Sequence, residues 1–142
     1  MAERRMLVWS VFDDDSWCEL NPDLYRHGIL TCVTTAGTTR VLDIVQGRHL
    51  RQTLEGSPSA WGSDGRWLPM PGTVFVNPCG VFLKTWGPRA WEASTRLWAV
   101  WAGHVPDWTD TDLGQRVLTA VLDRRLPPTP TSGHGVEPCQ AL

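Results

Sequence analysis

The chain has one lysine, one tyrosine and three phenylalanines in 142 residues, so its basic character rests on twelve arginines and its aromatic character on nine tryptophans. It also lacks an excess of charge of either sign. Thirteen basic against fifteen acidic residues give a formal net charge of −2, which provides no field to hold a phosphate backbone or an anionic bilayer. Nucleic acid and membrane are therefore not expected partners. No apolar run approaches the roughly 18 residues needed to span a bilayer. The one N-terminal run, Met6–Phe12, follows Arg4 and Arg5 like a short signal sequence. It ends in Asp13, Asp14 and Asp15 where a cleavage site would need small residues, and it reads as a first strand. The four cysteines, Cys18, Cys32, Cys79 and Cys139, form no C-x-x-C pair, and the expectation is free thiols in a cytoplasmic protein.

What is present is enough to fold. Hydrophobic residues make up 42% and charged residues 20%, the balance of a soluble globular domain and not of a disordered chain. The length suits one domain. Short apolar runs separated by Gly, Pro, Ser and Asp predict strands at Met6–Phe12, Ile29–Thr35, Arg40–Val45, His49–Leu54, Gly72–Asn77, Val81–Trp86 and Thr95–Ala102. That spacing points to an all-β sandwich or barrel. Between Leu54 and Pro71, the Ser63-Asp64-Gly65 turn signal flanked by Trp61 and Trp67 predicts a hairpin or flap. One helix is expected, capped at Thr109, Asp110 or Thr111 and presenting Leu113, Val117, Leu118, Val121 and Leu122 at helical spacing. The domain is expected to span 1–126. Residues 127–142, rich in proline and poor in core residues, read as a disordered tail.

The segment 72–83 reads G-T-V-F-V-N-P-C-G-V-F-L, with Gly72, Pro78 and Gly80 at offsets that a tight strand-to-strand corner requires. This resembles the second motif of the cupin superfamily, G-x5-P-x-G-x2-H-x3-N. Upstream, Gly28, Thr34, Ala36, Arg40 and Gly47 fit the spacing of that family's first motif, G-x5-H-x-H-x3-E-x6-G. The resemblance covers about residues 28 to 87 and implies a cupin-type jelly-roll barrel with one C-terminal helix. It also marks a departure. Where the family carries its metal-binding His, His, Glu and His, this chain has Thr34, Ala36, Arg40 and Leu83, none a conventional ligand, and the terminal Asn is Gly87. The resemblance thus implies a small single-domain cupin without the usual metal site, and no cofactor is expected.

On that alignment Thr34, Ala36 and Arg40 face a pocket otherwise walled by Leu30, Cys32, Leu42, Ile44 and Leu83. Arg40 brings a permanently charged fork of donors suited to a carboxylate or enolate oxygen; the alternative is a buried ion pair with Asp43 or Glu55. His27, at the barrel rim beside Tyr25 and Arg26, is the candidate general acid or base, and Cys32 is a polar group at pocket depth. His49 is expected to point outward, because Leu50 and Leu54 claim the core face. Trp61, Trp67, Trp86 and Trp91 are placed near the barrel mouth, with Trp61, Trp67 and Trp86 as candidates to stack on a ligand, while Trp98 or Trp101 belongs to the core. The leading expectation is a metal-independent isomerase, cyclase or lyase acting on a small hydrophobic molecule, in the manner of specialised biosynthesis. The alternatives are a non-catalytic small-molecule binder or sensor and a sugar-binding or sugar-modifying protein. A homodimer is compatible with the resemblance.

Overall fold

The tryptophans and branched aliphatics are concentrated where β-structure is observed. A computed structural model describes residues 7–12, 28–54, 65–70, 74–84 and 91–127. Among them nine strands run in chain order: β1 Leu7–Ser10, β2 Ile29–Thr34, β3 Thr39–Asp43, β4 Arg48–Gln52, β5 Trp67–Pro69, β6 Val74–Asn77, β7 Gly80–Lys84, β8 Trp91–Ala93 and β9 Leu97–Ala102. They form a six-stranded sheet in the order β1-β9-β2-β3-β4-β5 and a three-stranded sheet β6-β7-β8. Every pairing is antiparallel. After β9 comes one turn of 3-10 helix at Trp108–Asp110, then the helix α1, Asp112–Leu122. The expected all-β chain with one helix is thus present in its coarse form, as two separate sheets.

Both faces of the large sheet are buried. On the inner face Trp9, Leu30, Cys32, Leu42, Leu97 and Val100 form one core with Val76, Val81 and Leu83 of the small sheet. On the outer face Val33, Trp98, Ala99 and Trp101 pack with Val105, Trp108 and the α1 residues Val117 and Ala120. A fully buried aliphatic contributes about 1.5–3 kcal/mol, so the large sheet is the hub of stability. Strand β9 serves both cores because its pairing with β2 shifts between Val33 and Thr34. The irregularity breaks strict alternation, and Leu97 and Val100 face one core while Trp98, Ala99 and Trp101 face the other.

The turns follow local chemistry. Asp43 closes the β3–β4 hairpin by accepting from the Gln46 amide at 3.0 Å, and Gly47 completes it at φ 66, where a glycine carries no steric penalty. In the β6–β7 turn Asn77 Oδ1 accepts from the Cys79 amide at 2.8 Å. Gly80 there has φ 145, and a Cβ would stand 2.8 Å from the Ser94 carbonyl oxygen. Thr111 caps α1, its hydroxyl accepting from the Gly114 amide at 2.9 Å, which selects one of the three expected caps. Pro127 is buried and its carbonyl accepts from Arg96 Nη1 at 3.3 Å.

Several expectations are corrected. The segment expected as a hairpin or flap supplies strand β5, antiparallel to β4 as a hairpin requires, but β5 was not anticipated as a strand of the sheet, and β8 lies where no strand was anticipated. Both have only three residues, too few for an alternation pattern to register. Cys79 is disulfide-bonded and Cys32 is a free, buried thiol, so the cysteines are not uniformly free. Because disulfides persist in oxidising compartments, the ground for expecting a cytoplasmic location is removed. Among the described residues no helix is long and apolar enough to cross a membrane.

Candidate functional site

Side chains directly across an antiparallel ladder project to the same face. The register therefore defines two rows on the inner face of the large sheet. One runs Val100, Cys32, Arg40, Arg51; the next runs Ala102, Leu30, Leu42, His49, Leu68. The rows are apolar toward β9 and polar toward β4. Thr34 lies two residues beyond Cys32 on the same face, and Thr53 two beyond Arg51. Their hydroxyls are engaged: Thr34 Oγ1 accepts from the Thr38 amide at 3.2 Å, and Thr53 Oγ1 accepts from Arg51 Nη1 at 3.4 Å.

The polar end is secluded. Arg40 and His49 are each 9% exposed and Thr34 3%, and the Arg40 Nε and His49 Nδ1 atoms have no solvent contact. Arg51 is half-buried. Burial pushes the Cys32 thiol up to about 12, with the Arg40 guanidinium pulling weakly the other way. Cys32 is thus a neutral thiol at physiological pH, a weak donor beside a fixed positive charge.

Of the residues singled out from sequence, Arg40, Cys32, Thr34 and Leu42 share this face, and Leu83 meets it from β7 within the same core. Ala36 does not join them: it is exposed in the β2–β3 turn, because β2 ends at Thr34, whose amide donates to the Thr38 carbonyl at 2.9 Å. Trp67 is opposite Leu50, itself opposite Val41, and so occupies the outer face. There Arg48 lies 4.2 Å from its ring centroid and His104 meets it edge-on at 6.0 Å. The suggested Arg40–Asp43 pair gives way to Asp43 with Arg48 Nε at 3.1 Å. Hydrogen bonds from the Gln46 amide first, then from Arg48, hold the Asp43 carboxyl below its usual range. His27, Trp61, Trp86, Tyr25, Arg26, Glu55, Gly72, Gly87, Cys18, Cys139, the acidic run at 13–15 and the tail from 128 lie outside the described residues.

His49 is a further correction. It was expected outward, yet it lies opposite Leu42 on the inner face. Because the outer face is also covered, Leu50 and Leu54 could not decide the register. The hairpin does decide it: a four-residue turn closed by Asp43 and Arg48 sets Leu42 against His49 and Arg40 against Arg51. Arg51 and Thr53 were missed for the same reason. Among the described residues no group of three His, Cys, Asp or Glu side chains converges. Compared with known proteins, the chain matches no family model, no curated protein and no solved structure.

Proposed function

We propose that the space between the sheets receives a small hydrophobic molecule and that the protein is a metal-independent, cupin-like isomerase, cyclase or lyase. The observation that carries this reading is Arg40, 9% exposed and opposite Cys32 on the face turned toward the inter-sheet core. A guanidinium there stays charged and acts through a medium that screens poorly. It opposes negative charge developing on an enolate or carboxylate oxygen, while Leu30, Leu42 and Leu83 exclude water. The cupin-like part of the proposal is supported by Gly47 and Gly80, two motif positions with positive φ at strand corners.

The non-catalytic alternative is favoured by one observation: the Cys32 thiol, pushed up to about 12, provides no thiolate nucleophile. Turnover separates the two. The full chain is incubated with a library of small hydrophobic carbonyl compounds and acids and followed by chromatography with mass spectrometry. Isomerisation or cyclisation gives a product of unchanged mass and altered retention, and a lyase gives fragments. Ligand retained on the protein and recovered unaltered would establish the binder instead. The sugar-binding reading draws nothing from Trp67, which faces away from Arg40 with Arg48 against its ring.

A further inference from the structure

Thr31, Val41, Leu50 and Trp67 form one row across the outer face, with Asp43, Arg48 and Pro69 in the row beside it. The cover of that face thins toward β5: Thr31 and Val41 are buried, whereas Leu50, Arg48 and Trp67 are half-buried. At this open corner Arg48 is held on two sides. Its Nε donates to Asp43 Oδ2 at 3.1 Å, and the Asp43 side chain is itself fixed, 4% exposed, with Oδ1 accepting from the Gln46 amide at 3.0 Å. The guanidinium lies 4.2 Å from the Trp67 ring centroid. Its Nε is thus engaged, but the two terminal amino groups, with four N–H donors between them, have no hydrogen-bond partner among the described residues.

His104 meets the edge of the same indole, 6.0 Å between centroids at an interplanar angle of 78°, and it is mounted as firmly. Gly103, at φ 91, turns the chain off β9. Its amide donates to the Ile29 carbonyl at 2.6 Å and its carbonyl accepts from Thr31 Oγ1 at 2.6 Å. On the other side the Val105 amide donates to the same Thr31 oxygen at 2.9 Å. Between these two tied residues His104 is exposed, and its ring nitrogens make no hydrogen bond among the described residues. We infer that Arg48 and His104, mounted on Trp67, form a surface site for a tetrahedral oxyanion, the phosphate or sulfate group of a small molecule. The free end of the Arg48 fork takes two oxygens. A planar carboxylate is satisfied by that fork alone, and the His104 donor from a second element matches a group with a third oxygen. Ordering long side chains opposes binding; here the Asp43 carboxylate and the Trp67 ring have already ordered Arg48. The net charge of −2 supplies no attracting field, so recognition is local. The site lies on the face opposite Arg40 and is independent of the inter-sheet proposal.

The test is two-dimensional NMR titration of the full chain with phenyl phosphate, phenyl sulfate and benzoate at fixed ionic strength. Saturable shifts of the Trp67 indole N–H, the Arg48 Nε–H and the His104 amide are expected with phosphate or sulfate, the tighter of the two naming the source, and benzoate should bind severalfold more weakly. Arg48→Lys, which keeps the charge but loses the fork, should weaken the tighter ester roughly tenfold, and His104→Ala, at an exposed position, roughly threefold. Arg125→Gln removes an exposed arginine that pairs loosely with Asp123 at 3.6 Å and should change nothing. Circular dichroism checks that each variant is folded, and the three titrations of the unaltered protein stand without them. Benzoate binding as tightly as the esters would overturn the tetrahedral group. Equal losses in Arg48→Lys and Arg125→Gln, or none in His104→Ala, would overturn the site in favour of diffuse attraction, and the absence of any saturable shift would overturn it outright.

Discussion

Both faces of the large sheet carry a buried apolar core, and they differ in the polar residues they seat. On the outer face the Trp108 and Trp98 indoles and the Thr31 hydroxyl are matched within the protein. Trp108 Nε1 donates to Thr39 Oγ1 at 2.9 Å and Trp98 Nε1 to the Thr35 carbonyl at 3.4 Å. The Thr31 hydroxyl donates to the Gly103 carbonyl at 2.6 Å and accepts from the Val105 amide at 2.9 Å, fastening the segment after β9 to the sheet. The inner face buries the Trp9 indole N–H without an acceptor among the described residues and seats Arg40, His49 and Arg51 in adjoining rows. A chain selected for stability alone would place hydrophobic residues there. On the function proposed above, the outer face holds the fold and the inner face receives the ligand.

The largest effect expected from breaking this contrast is at Trp108. Trp108→Ala removes a side chain 3% exposed from the outer core and strands the Thr39 hydroxyl. A loss of about 3–5 kcal/mol in urea unfolding is expected. Gly80→Ala comes next. At φ 145, with the Ser94 and Thr95 carbonyl oxygens 2.8 and 2.9 Å from the added Cβ, it should cost about 1–3 kcal/mol and lower the thermal midpoint. Thr111→Ala removes the α1 cap and should cost about 1 kcal/mol by urea unfolding.

The smallest effect sharpens the comparison at the turn of the β3–β4 hairpin. The Asp43 carboxyl is held below its ordinary value of 3.8 by the Gln46 amide and Arg48. A depressed folded value means that its contribution to stability is present above the unfolded value and lost as pH falls through the folded one. Asp43→Asn should therefore lower stability at neutral pH and flatten the loss below about pH 4, read from thermal midpoints between pH 2 and 7. An unaltered acid limb would show that Asp43 does not set it.

Much of the fold was legible because it rests on local signals. The strands at Ile29–Thr34 and Leu97–Ala102 are apolar runs bounded by turns, and α1 carries its cap and apolar stripe in sequence. The site was half legible. Arg40, Cys32 and Leu42 share a face by alternation within β2 and β3, which sequence spacing reports. His49 and Arg51 joined them only through the β3–β4 register, and register is hard to read when both sheet faces are buried, since apolarity then favours neither. Ala36 was misplaced because spacing measured along the chain does not show where a strand ends. Trp67 was misplaced because a three-residue strand gives no alternation to read.

The most direct test of the division between faces is Arg40→Met, measured by urea unfolding and by the turnover and ligand-retention assay on the same preparation. The expected result is an unfolding midpoint close to that of the unaltered protein, since a well-packed apolar replacement of a buried charge is tolerated, with turnover or ligand retention reduced at least tenfold. A midpoint that falls as far as that of Trp108→Ala would show that Arg40 serves a structural ion pair, and would contradict the account.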